Sequence, residues 1–196
     1  MEGTDMLASN IYRSPHCFQT KNILKAFQIE TEIDQFFGTL ESQQLFKGLD
    51  TKDFRMGIYR GFGSGANSKN IRSDLECFAQ EQMNLNGKCI TYWAVFDEVI
   101  DCDQKDFEKR LKQETAALCD SVSDFNVTVN GKDFFTLGLH KNSENLACRF
   151  SHPTIVFNMC EQLTIPGRLI GKKTSDLISS LIPSRRDIIR EYEICG

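Results

Sequence analysis

The chain is 196 residues long, 40% apolar and 26% charged, with a formal net charge of −4. That is enough for one cored domain, and an acidic balance with both signs interspersed excludes the basic face that nonspecific nucleic-acid binding requires. No apolar run approaches the ~20 residues needed to cross a bilayer, and the acidic, polar start from Met1 to Asp5 does not read as a secretory signal, so a cytoplasmic location is expected.

Residues 1–16 read as an irregular leader ending at the Ser14-Pro15 turn signal. Ile23, Leu24, Phe27 and Ile29 then suggest a short helix over about Cys17 to Glu30. Thr31 is placed to cap a second helix carrying Ile33, Phe36, Phe37 and Leu40. After a break at Lys47 to Asp50, Phe54 to Arg60 alternates as a strand. Gly61 to Asn67 is a glycine-rich loop leading into a helix over Ser68 to Asn84, with Ile71, Leu75, Phe78 and Met83 facing inward.

Cys89 to Phe96 is β-branched, aromatic and nearly continuous, the signature of a central strand. Phe107, Leu111, Thr115 and Leu118 mark a helix over about Asp103 to Asp120, with Glu108 and Lys112 pairing on its wet face. Phe125–Val129 and Asp133–Leu139 flank Asn130-Gly131, which accepts the positive φ angles of a type I′ hairpin. Thr154 to Asn158 is the last strand. Pro166-Gly167 separates it from a C-terminal helical region, 175–192, that Pro183 should interrupt. These elements predict an α+β fold: one domain over 1–196, with a largely antiparallel sheet of about five strands flanked by helices.

Few residue types can carry chemistry. The eight cysteines contain no Cys-x-x-Cys pair, so a zinc ribbon is not expected and the thiols should be reduced. Of the three histidines, His16, His140 and His152, His140 ends an apolar strand, where an imidazole can ligate a metal, move a proton or complete a hydrogen-bond network. The glycine loop can offer amides to an anion or simply join strand to helix; it lacks the lysine of a phosphate loop. Arg149, just before an apolar segment, can hold a carboxylate bidentately, and Asn158 can fix a turn or bind a ligand. Glu98, Asp101, Asp103, Asp120 and Asp124 suit a cationic ligand or are solvated charges and a helix cap.

Phe134-Phe135-x-x-Gly138-Leu139-His140, a polar loop, then Arg149-Phe150-x-x-Pro153-Thr154-x-Val156-Phe157-Asn158 resembles the C-terminal signature of the YqcI/YcgG family. Some members of that family are haem-dependent N-hydroxylases of guanidino compounds. The resemblance implies haem as cofactor, with His140 as the metal ligand and Arg149 and Asn158 as further cofactor-binding candidates. It also implies a small guanidino or amino-acid substrate. Cys119 and Cys160 stand where the family commonly has histidines, and Cys119 or Cys160 could itself act as a thiolate ligand. The alternative is a non-catalytic ligand-binding or interaction module of the same fold.

Overall fold

The computed structural model describes residues 23–159 except 47, 48, 50, 86, 87, 99, 119, 124 and 125. The leader 1–16, His16, the region 175–192, Cys119, Asp124 and Cys160 lie outside the described residues. The secondary structure runs α1 (Ile23–Phe37), α2 (Leu40–Leu45), β1 (Phe54–Tyr59), α3 (Ser68–Met83), β2 (Thr91–Phe96), α4 (Gln104–Leu118), β3 (Ser121–Ser123), β4 (Asn126–Val129), β5 (Lys132–Leu139) and β6 (Thr154–Met159).

The strands form one six-stranded sheet in the order β1-β2-β6-β5-β4-β3. The fold is α+β, as expected, and the sheet is mixed. β1 and β2 pair in parallel, Met56 opposite Trp93, whereas all the other pairings are antiparallel. A parallel pair needs a crossover, and α3 supplies it, making β1-α3-β2 a βαβ unit with the glycine loop at its first turn. Alternation along a strand reports which face is buried but not which way the neighbour runs, so this pairing is invisible in the pattern. The sixth strand, β3, is a three-residue Ser-Val-Ser segment too short and polar to stand out.

Alternating residues send each strand's side chains to two separate cores. On one face Tyr92, Ala94, Phe96, Phe134, Ile155 and Phe157 pack with Ile71, Leu75 and Phe78 of α3 and Phe107 and Leu118 of α4. On the other, Trp93, Val95, Val156 and Leu139 pack with Ile29, Ile33, Phe36 and Phe37 of α1. Trp93 meets Phe36 and Phe37 edge-on at 5.7 and 5.3 Å, geometry favoured by the aromatic quadrupole. β2 feeds both cores, which is why it is buried at every position, Thr91 included.

Three expectations need local correction. Met83 does not face inward on α3 but is exposed at its last turn. The first two helices are one: α1 runs through Thr31, which does not cap but turns its hydroxyl back to the Phe27 carbonyl at 2.9 Å. The cap belongs to Thr39, which opens α2 and accepts from the Ser42 amide. The hairpin is as read, with Asn130 at φ 50 and Gly131 at φ 70. Its tip is tied to α3 by Arg72, which donates to the Asn130 Oδ1 at 2.7 Å.

Phe96 is fully buried and packs 4.9 Å from the Phe62 ring. Phe96→Ala should cost about 3–5 kcal/mol of unfolding free energy in denaturant titration, because the cavity lies where sheet, glycine loop and α4 meet. A loss below about 1 kcal/mol would contradict this packing.

Candidate functional site

β1, β2 and β5 point the same way, since β2 and β5 each run antiparallel to β6. Arg60, Asp97-Glu98, His140 and the start of β6 at His152 therefore gather at one end of the sheet. Open sheets bind ligands beyond the carboxyl ends of parallel strands. Of the acids singled out from sequence Glu98 is here, but Asp120 is not: it accepts from the Asn130 amide at the hairpin tip, the opposite end of β5. Asn158 opposes Phe135, four rungs from the Leu139–Thr154 pair and five residues from His140, so it lies about 17 Å down the sheet from His140. Asn158 also projects from the face of β6 that carries Val156, the α1 side, and its buried Oδ1 has no hydrogen-bond partner.

His140 is 4% exposed. Its ring stacks on Phe107 of α4 at 4.0 Å between centroids, and its Nε2 bonds to Oε1 of Gln104 at 2.9 Å. Its backbone amide donates to Cys148 and its carbonyl accepts from Ser143 and Phe150, pinning the 141–149 loop. Burial pulls the imidazole pKa down, with Glu108 opposing. The Gly-Leu-His sequence thus has a packing explanation. A Cβ on Gly138 would lie 2.6 Å from Leu111 Cδ2 and 2.9 Å from Phe107 Cε1, so glycine is what allows α4 close enough for the stack.

The contacts this imidazole makes are structural ones: Nε2 is held by Gln104 and one ring face is covered by Phe107. Arg149, at the same end, is exposed and spends its Nε on the Ser143 carbonyl at 2.7 Å, shaping the loop. Among the described residues no three His, Cys, Asp or Glu side chains cluster as a metal site. Of the described cysteines, Cys102 and Cys148 are buried, and burial pushes the Cys148 thiol up to about 11, far from a thiolate. No described helix is long and apolar enough to cross a membrane.

The glycine loop is engaged from within. Gly61, Gly63 and Gly65 have φ of 77, 83 and 67, turning successive amides inward. The Phe62 amide donates to Glu98, and the Gly63 and Gly65 amides donate to Oε2 of Glu114 at 2.9 and 3.1 Å. Glu114 is 0% exposed, and its other oxygen has no partner. Burial raises its pKa, while the two amides hold it down. Above the loop lies a depression of about 270 Å³ lined by Phe62, Gly63, Ser64, Asp106, Lys109 and Arg110.

Two further clusters complete this region. His152, buried beside Phe150, faces Oε2 of Glu32 at 3.5 Å, and its Nδ1 is unpartnered. Beneath β1 and β2, Tyr59 and Tyr92 meet hydroxyl to hydroxyl at 2.5 Å and both donate to Oδ2 of Asp74. Burial raises both Tyr59 and Asp74 above their ordinary values. The sequence did carry a signal for Glu114 and Asp74. Each is an acid on the inward stripe of its helix, between Leu111 and Leu118 and between Ile71 and Phe78 respectively.

No family model, no curated protein and no solved structure matches this chain.

His140 should titrate by proton NMR with a midpoint below the ordinary 6.5, and Glu108→Gln should lower it further by removing the one group that raises it. Because the folded pKa is depressed, the histidine's contribution to stability is complete above 6.5 and is lost as pH falls through the folded value. A midpoint above 6.5 would place the ring in an open or anionic setting instead.

Proposed function

We propose that this chain is a non-catalytic ligand-binding module, cytoplasmic, that takes a small zwitterionic ligand of the amino-acid or guanidino class. One observation carries the reading: the depression at the carboxyl end of β1 sets opposite charges side by side over an acidic floor. Asp106 and Arg110, 3.0 Å apart, line it with Lys109, and Glu98 and Glu114 lie beneath the Phe62 and Gly63 backbone. A ligand carboxylate would pair with Lys109. A ligand ammonium or guanidinium would pair with Asp106, in the field of the two glutamates. His140 serves this site as the clamp that seats α4, not as a chemical group. No contact with nucleic acid or membrane is proposed.

Calorimetric titration with free arginine tests it. Binding should weaken roughly fivefold or more, about 1 kcal/mol, in Asp106→Asn and in Lys109→Ala, while Lys112→Ala on the wet face of α4 leaves it unchanged. Heat neither from arginine nor from any other free amino acid would sink the reading.

A second reading, haem-dependent N-hydroxylation of such a compound, rests on the signature, whose two halves are the hydrogen-bonded neighbours β5 and β6. Haemin titration separates the two. A Soret band that disappears in His140→Ala favours haem ligation, and protein that stays colourless favours the module.

A further inference from the structure

The glycine loop carries three positive-φ glycines and has no lysine or arginine of its own between Gly61 and Asn67. What holds it are carboxylates from outside the loop: Glu98 takes the Phe62 amide, and Glu114 of α4 receives two amides on one oxygen. The fit is close on both sides of that carboxylate. A Cβ on Gly63 would lie 2.7 Å from Cβ of Arg110, and one on Gly65 would lie 2.9 Å from Cβ of Ala117, so the loop rests on the helix one turn before and one turn after Glu114. The second oxygen is buried without a donor, an arrangement that leaves room for a proton on the carboxyl group.

We propose that Glu114 is a positioning residue, a proton-linked latch that as a carboxylate holds the Gly63 and Gly65 amides and, on taking a proton from solvent, releases the Gly61–Gly65 loop and the depression it borders. The latch rests on the ligand-site reading for its purpose but not for its existence. Protonation converts a charged acceptor into a neutral one, and hydrogen bonds to a charged acceptor are roughly twice as strong. The charged groups around it are few: Glu98 at the end of β2 favours the proton, Arg110 one turn earlier on α4 is paired with Asp106, and Arg72 of α3 caps Leu118 one turn later. Burial and Glu98 move the switching range above the ordinary glutamate value of 4.5.

Amide hydrogen exchange followed residue by residue by NMR tests the latch without any ligand. Protection of Gly63 and Gly65, corrected for intrinsic rates, should fall as pH drops through the Glu114 titration, and Glu98→Gln should move that fall to lower pH. Glu114→Gln, which keeps an acceptor but cannot ionise, should retain partial protection and lose the pH dependence. Glu114→Ala should lose protection on the order of tenfold, and added formate should restore part of it by entering the vacated space. Unchanged protection in Glu114→Ala, or an unchanged pH profile in Glu114→Gln, would overturn the latch. Arginine titration on the same samples reads the ligand site separately, so either idea can fail alone.

Discussion

Helix α4 lies directly against β5, and the rest of this end of the molecule depends on that contact. Position 138 has no side chain, so Leu111 and Phe107 descend onto the strand. Phe107 then meets the His140 ring, and Gln104, one turn earlier, reaches its Nε2. With the helix seated there, Glu114 is carried over the first turn of the βαβ unit and Leu118 enters the core beneath Arg72. A single glycine thus sets the height of a helix whose successive turns touch a strand, a loop and a neighbouring helix.

Seating α4 this way places an acid where a core residue would normally stand. An ionised carboxylate taken from water costs several kcal/mol unless hydrogen bonds replace its hydration. The glycine loop supplies two amides, and it can do so because its backbone adopts conformations that a side chain would strain. Loop and helix are therefore complementary: the loop needs an anion to order its inward amides, and the acid needs donors. The same economy recurs under β1 and β2, where Asp74 is buried only in company with two tyrosine hydroxyls.

The sequence made the framework legible where local chemistry decides the outcome. Asn130-Gly131 specifies its hairpin, and the nearly continuous apolar run of β2 announces a strand buried on both faces. It was silent where the decision is tertiary. Thr31 looks like a cap because threonine caps helices, yet inside α1 its hydroxyl is satisfied by the preceding turn. The parallel pairing of β1 with β2 depends on where α3 delivers the chain. His140 was placed correctly at the end of a strand, but Gln104, its partner, lies 36 residues away, and no spacing rule connects the two. The inward acids Asp74 and Glu114 were the readable clue, because a charge on an apolar stripe asks for partners that only the fold can supply.

Gly57 gives the βαβ unit a property beyond its packing. A methyl group there would collide with the hydroxyls of both Tyr59 and Tyr92, the two groups that hydrogen-bond to Asp74. Four positions, 57, 59, 74 and 92, therefore form a single unit of sequence change. Replacing Gly57 alone strands an acid in the core, whereas trading the tyrosines and the aspartate for smaller apolar residues removes the requirement for glycine. Among divergent chains of this fold, these positions should be found exchanged together, in combinations that are wholly polar with glycine or wholly apolar without it.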